Sequence, residues 1–117
     1  MSKIKIDLPF LPPSVNACYA TNWSTKRRFK SKEYRNFIEL FAAYVPKLHI
    51  KGEVHVEFNF YFPDKRIRDS SNYIKALEDT LVHYGVIEDD SLITRHIIEK
   101  YYEKGKPATV IEICSTI

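Results

Sequence analysis

The sequence predicts an α+β fold: a two-layer domain in which two main helices cover one side of a mixed β-sheet. Three observations predict it. Apolar and polar residues alternate strictly from Val54 to Phe62, two other segments carry apolar residues at helical spacing, and the element order is strand, loop, helix, strand, helix, strand, strand. At 117 residues the chain is expected to form one domain over 1–117, and 44% hydrophobic with 14% aromatic residues is enough to pack a core.

The elements follow from residue patterns. Lys3 to Leu8 alternates, so Ile4, Ile6 and Leu8 share one side of a half-buried strand. From Pro9 to Lys30 no period lasts, and Pro9, Pro12, Pro13, Asn16 and Asn22 predict a long loop. Ser31 is placed to cap a first helix whose apolar side is Tyr34, Phe37, Ile38, Phe41 and Val45, and Pro46 stops it. Gly52 opens the clearest strand, with Val54, Val56, Phe58, Phe60 and Phe62 on one face and His55, Glu57, Asn59 and Tyr61 on the other. A second helix is expected from about Ser70 to Tyr84, burying Ile74, Leu77, Leu81 and Tyr84, with Asp69 or Ser70 as its cap and Gly85 ending it in a left-handed conformation. Ser91 to Glu103 has extended character with a less regular period. Lys104 to Pro107 forms a turn, and Ala108 to Ser115 closes the chain as the second strand of a hairpin.

Composition and charge narrow the function. The formal net charge is only +3, but Lys26, Arg27, Arg28, Lys30 and Lys32 fall together, and Lys65, Arg66 and Arg68 form a second group. Clustered positive charge points to a polyanionic partner more than the total does. Trp23 and Phe29 stand beside the first cluster, a composition suited to tracking phosphates with a ring available for an unpaired base; the plainer alternative is a solvated basic loop with one packed tryptophan. Only 3 glycines, and no nucleophile elbow, argue against phosphate-loop and serine-hydrolase chemistry. Cys18 and Cys114 have no metal-ligand spacing and read as reduced thiols. No apolar run matches a membrane span and the N-terminus lacks a secretion signal, so the expectation is a soluble, cytoplasmic protein without a membrane partner.

The stretch from Asp64 to Ser91 carries the chemistry. A basic loop leads into the second helix, Asp69 precedes it, Ser71, Lys75 and Glu78 form a strip on its polar side, and Glu88, Asp89 and Asp90 come after it. Each acid alone has an ordinary structural explanation: an aspartate before a helix caps it, and an acidic turn is polar surface. Together with Lys75 and the arginines they are what a metal-assisted reaction on a phosphodiester needs, provided that Asp69, Lys75 and Asp90 converge in space.

These residues resemble a known family. LPFLPPSVNACY near the N-terminus, DKRIRDSSNYIKALEDTL in the centre and GVIEDDS after it are similar to the signature segments of RusA-type Holliday-junction resolvases, and they run through most of the chain in the same order. The resemblance implies a homodimeric, Mg²⁺-dependent endonuclease, with Mn²⁺ able to substitute, that acts on branched DNA such as a four-way junction. It implies catalytic roles for Asp69, Lys75 and Asp90, and metal contacts for Asp69 and Asp90 with Asp89 and Ser71 nearby. It also implies DNA contacts from Lys26, Arg27, Arg28, Lys30, Lys65, Arg66, Arg68, Asn16 and Asn72.

Position 71 departs from the pattern, because the family's second catalytic aspartate falls on Ser71. A hydroxyl supplies no negative charge, so metal affinity is expected to fall unless Glu78 or Asp89 compensates. Three functions are therefore compatible with the sequence: an active resolvase, a junction-binding protein with weak or lost cleavage, and a structural domain whose charge clusters are merely solvated. The expected mechanism for the first is in-line attack of water on a DNA phosphodiester, with bound metal lowering the pKa of that water and neutralising charge on the transition state.

Overall fold

A computed structural model of the chain describes residues 2–116. Its elements are β1 (Lys3–Leu8), β2 (Tyr19–Asn22), β3 (Arg27–Lys30), α1 (Lys32–Phe41), β4 (Val54–Phe62), α2 (Ile74–His83), β5 (Ile93–Tyr102) and β6 (Ala108–Ser115). Short 3-10 turns occupy Val15–Ala17, Ala42–Tyr44, Ser70–Tyr73 and Asp90–Leu92. The fold is α+β as the sequence predicts, and its main sheet is mixed, with strand order β1, β6, β4, β5.

Strict alternation in β4 does what it should: Val54, Val56, Phe58, Phe60 and Phe62 are all buried. They meet Ile4, Ile6 and Leu8 of β1, Ile111 and Ile113 of β6, Tyr34, Phe37 and Phe41 of α1, and Leu77 and Leu81 of α2 in one core. Ile38, Val45, Ile74 and Tyr84, expected on the apolar faces, are packed against that core but only partly buried. Asn59, expected on the solvent face of β4, is instead buried, with its amide donating to the Glu57 carboxylate at 3.0 Å.

Two further sequence expectations are corrected. β5 and β6 are not a hairpin: β6 runs antiparallel to both β1 and β4, while β5 lies parallel to β4 at the sheet edge. The reason is burial. β6 alternates, with Thr109, Ile111, Ile113 and Ser115 inside, and can occupy an interior position, whereas β5 has no fully buried residue and suits an edge. A parallel neighbour for β4 requires a crossover, which α2 supplies. The second correction is the 9–30 loop, which contains a two-stranded antiparallel hairpin, β2 with β3, in register Tyr19 with Lys30 through Asn22 with Arg27.

The caps are where the sequence indicates, but both helices are shorter than expected: 3-10 turns replace α-helix at Ala42–Tyr44, ahead of Pro46, and at Ser70–Tyr73, ahead of α2. Ser31 Oγ accepts from the Tyr34 backbone N–H at 3.1 Å, and Asp69 accepts from the Ser71 N–H at 3.0 Å to cap the turn that leads into α2. At the other end of α2, Gly85 has φ +71, with Gly85 N–H donating to Val82 O and Val86 N–H to Leu81 O, both at 2.9 Å. This is the left-handed closure that glycine permits without strain.

The direction of the crossover separates its two flanks. Because β4 and β5 run the same way, α2 runs back across the sheet from the Phe62 end of β4 to the Val54 end, where Val54 pairs with Ile93. Asp69 stands at the entrance to this crossover and Asp90 at its exit.

Candidate active site

The exit of the crossover forms a cleft of about 380 Å³ lined by Tyr19, Lys30, Tyr34, Asp79, Asp89 and Asp90 among others. The i, i+4 spacing of α2 brings Lys75 Nζ to Asp79 Oδ1 at 3.1 Å. Asp79 also accepts from the Tyr34 hydroxyl at 3.3 Å, tying α2 to α1. These contacts hold the Lys75 pKa above its ordinary value: the Asp79 hydrogen bond is the largest cause, then the Asp79 charge, with Asp90 adding to it. The Tyr34 hydroxyl is pushed up, first by burial and then by the Asp79 charge, so it remains a donor.

Lys75 and Asp90 therefore share one electrostatic environment. Asp69 does not join them. Its Oδ1 accepts from Ser71 N–H at 3.0 Å and from Ser71 Oγ at 2.7 Å, and its carboxyl is held below the ordinary range by the Ser71 hydroxyl, the Ser71 N–H and the charge of Lys100. Lys100 belongs to the same end of the sheet, donating to Arg68 O at 2.8 Å. Lys100 and Ile93, the residue that follows the Asp90–Leu92 turn, lie seven positions apart in β5, about 23 Å of strand. Asp69 thus lies toward the Lys100 end of β5, whereas Asp90 precedes its Ile93 end and acts on the charge of Lys75.

The remaining acids divide. Asp89 lines the cleft but accepts from the Ser91 hydroxyl and, at 3.3 Å, from the Ser91 N–H, which lower its pKa. Glu78 does not stand in for the missing aspartate at position 71, because it turns toward β5 and meets His96 Nε2 at 2.7 Å. Asp79 is the residue that sequence reasoning missed; its position four residues after Lys75 was the available signal.

The basic residues also divide. In the hairpin, Lys26, Arg27, Arg28 and Lys30 are all exposed. Arg28 lies over the Tyr19 ring at 4.4 Å and Lys30 over Tyr34 at 5.6 Å, so both lean back toward the cleft. At the entrance to the crossover, Lys65 and Arg66 are exposed, with Lys65 over Tyr102 at 5.1 Å. Arg68 is spoken for. Its guanidinium forks onto Asp64 at 2.7 and 3.2 Å, lies over Phe62 at 4.8 Å and is only 12% exposed. This fork and the Arg66 N–H pull the Asp64 pKa down to about 2. Asn16 is exposed on the Val15–Ala17 turn, which packs against the Ser70–Tyr73 turn carrying Asn72.

Whether these residues suit a metal depends on the kind of site. Among the described residues no group of three or more His, Cys, Asp or Glu side chains is placed to hold an ion. Mg²⁺ asks for less, one or two carboxylates with waters and substrate phosphate completing the shell, and Asp90 beside Asp79 and Asp89 fits that requirement. The carboxylates that line the cleft, the Lys75 ammonium group held by Asp79 and Lys30 of the basic hairpin make a set whose chemistry suits a phosphodiester.

Comparison with known proteins agrees. A family model described as Endodeoxyribonuclease RusA matches residues 9–114, spanning both flanks of the crossover. The chain belongs to the RusA endodeoxyribonuclease family. Among its relatives, Crossover junction endodeoxyribonuclease RusA of Aquifex aeolicus (strain VF5) is 30% identical over 109 residues, covering 89% of this chain and 71% of the relative. Crossover junction endodeoxyribonuclease rusA of Enterobacteria phage HK97 is 32% identical over 93 residues, covering 77% of this chain and 76% of the relative. Membership of the RusA family makes the chain a DNA-cleaving hydrolase and not a structural domain alone.

Proposed function

We propose that this RusA-family chain is a Mg²⁺-dependent endonuclease that nicks four-way DNA junctions as a homodimer in recombination and repair, with Mn²⁺ able to substitute. The observation that carries the reading is the cleft lined by Asp79, Asp89, Asp90 and Lys30 of the basic hairpin, with Lys75 paired to Asp79 at 3.1 Å. Relatives named as crossover junction endodeoxyribonucleases supply the substrate class.

Lys75, charged throughout the neutral range and mounted on a helix, holds a non-bridging oxygen of the scissile phosphate. Asp79 and Tyr34 keep its ammonium group in place. Asp90 and Asp69 are the proposed metal ligands, with Asp89 and Ser71 beside them, and the metal would supply a water of lowered pKa and neutralise charge on the transition state. Lys26, Arg27, Arg28, Lys30, Lys65 and Arg66 hold the DNA backbone, with Asn16 and Asn72 near the entrance to α2. Arg68, neutralised by Asp64, contributes by shaping the Asp64–Asp69 loop and not by free charge.

Homodimerisation answers the separation of the two acids. Asp69 of one copy and Asp90 of the other face the same phosphate, and two-fold symmetry repeats the arrangement on the opposed strand of the junction. The test is a labelled four-way junction and a matched linear duplex incubated with and without Mg²⁺. Paired nicks in the junction alone, dependent on metal and lost in Asp90→Asn with binding retained, are expected. Tight junction binding with no product in Mg²⁺ or Mn²⁺ would refute the nuclease assignment.

A further inference from the structure

The β2–β3 hairpin is not part of the main sheet, and every residue from Thr21 to Lys30 is exposed. Two strands alone are marginally stable in water, so an element of this kind needs anchoring. Its base has anchors. Ser31 N–H donates to Cys18 O at 2.9 Å, Ser31 Oγ donates to Ala17 O at 2.5 Å, and the Tyr19 ring meets the buried Tyr34 edge-on at 5.9 Å. Arg28 stacked on Tyr19 closes the same end.

The tip is built as well. Asn22 Oδ1 accepts from the N–H groups of Ser24 at 3.0 Å and Thr25 at 3.3 Å, and Lys26 takes φ +57 to bring the chain back to Arg27. This turn holds Trp23 outward with 83% of its surface exposed. A large ring left in water at the end of an ordered hairpin gains nothing for the fold, since its burial would be worth far more than its exposure. Lys26, Arg27 and Arg28 surround it with positive charge, which suits a polyanion and disfavours a second copy of this equally basic hairpin. From the cleft residues Tyr19 and Lys30 to the Asn22–Arg27 pair is three residues, about 10 Å of strand, so the tip remains within reach of DNA held at Asp90.

We infer that Trp23 is a base-stacking probe: the hairpin presents its indole to an unpaired or unstacked base at the branch of the DNA, and this contact distinguishes branched from linear DNA. Every base has a face on which an indole can stack, but in a continuous duplex those faces are already covered. At a branch they are available. The basic residues of the hairpin follow the backbone without regard to structure, so they give affinity while Trp23 gives discrimination. This rests on the proposed nuclease function and specifies which part of the chain recognises the branch.

The chain has a single tryptophan, so its fluorescence reports this residue alone. Full-length protein is titrated without divalent metal with a four-way junction, a matched linear duplex and a single strand. The indole emission of free protein is expected at the wavelength of a water-exposed ring, strongly quenched by junction and single strand and little changed by duplex. Trp23→Ala is expected to lose roughly ten- to hundredfold in junction affinity, with duplex affinity and salt dependence retained, and Trp23→Phe to keep most of the binding. Arg27→Ala should instead lower the salt slope by about one for every DNA. An emission unchanged by all three DNAs, or Trp23→Ala binding the junction as tightly as the parent chain, overturns the inference even if the chain nicks junctions normally. A blue-shifted emission in free protein that DNA does not alter also overturns it, because the ring would then be covered by protein. If the parent chain bound no DNA, the nuclease assignment and this inference would fall together.

Discussion

Replacing Lys75 by methionine keeps the aliphatic stem and removes the charge. The structural cost comes from the Lys75–Asp79 pair, whose side chains are 52% and 30% exposed. Pairs of this type on a helix contribute about 0.3–0.5 kcal/mol, which moves the melting temperature of a chain this size by roughly 2 °C. The functional cost is larger if the ammonium group holds the scissile phosphate, because a hydrogen bond to a charged group is worth about 1.5–3 kcal/mol. Single-turnover nicking of a four-way junction should therefore slow by roughly ten- to hundredfold, with binding reduced less and the fold intact by thermal melting. A rate within about twofold of the parent chain would refute the assignment and leave Lys75 as half of a surface ion pair. Asp79→Asn separates the parts further: it frees Lys75 while keeping an acceptor for Tyr34, and should raise KM for the junction more than Tyr34→Phe does.

Three further outcomes are expected. The Asp64 carboxyl, whose folded pKa is lowered to about 2 by Arg68 and the Arg66 N–H, favours the folded loop above about pH 4 and loses that contribution as pH falls toward 2; carbon-detected NMR titration should give a midpoint near 2, and an ordinary carboxylate midpoint would contradict the Arg68 fork. Gly85→Ala introduces a Cβ that meets nothing closer than His49 Nδ1 at 3.7 Å, so its cost is the left-handed backbone alone, about 1 kcal/mol and roughly 4–6 °C in thermal melting; an unchanged melt would contradict the left-handed closure of α2. Ser71→Asp adds a carboxylate beside Asp69 and should lower the Mg²⁺ concentration that half-saturates nicking, whereas an unchanged requirement would remove charge deficit as the meaning of Ser71.

What was legible in the sequence was periodic. β1, β4 and the two helices announced themselves because each buries one face, and Ser31, Asp69 and Gly85 marked helix ends by chemistry that acts locally. The β2–β3 hairpin was not legible because beyond Tyr19 and Ala20 it meets solvent, and Thr21 to Lys30 has no apolar alternation to display. The place of β6 between β1 and β4 was hidden by the Lys104–Pro107 turn, which suggests a local hairpin, while burial across the whole sheet decided the neighbours.

The candidate site was legible in its residue types and only partly in its partners. Lys75 with Asp90 can be read from a helix and a returning turn. The capture of Arg68 by Asp64 and of Lys75 by Asp79 both lie at i, i+4 and could have been read from spacing. The separation of Asp69 from Asp90 could not, because it depends on β5 lying parallel to β4.

That separation makes a mixed-dimer experiment the most direct measurement. Asp69→Asn and Asp90→Asn chains are purified separately, each expected to be inactive, then unfolded together, refolded and given a labelled four-way junction with Mg²⁺. Sites completed across two chains give each mixed dimer one intact and one doubly altered site, so single nicks without paired resolution are predicted. No product from mixed dimers, when the unaltered chain refolded in the same way still nicks in pairs, would contradict an active site shared between subunits.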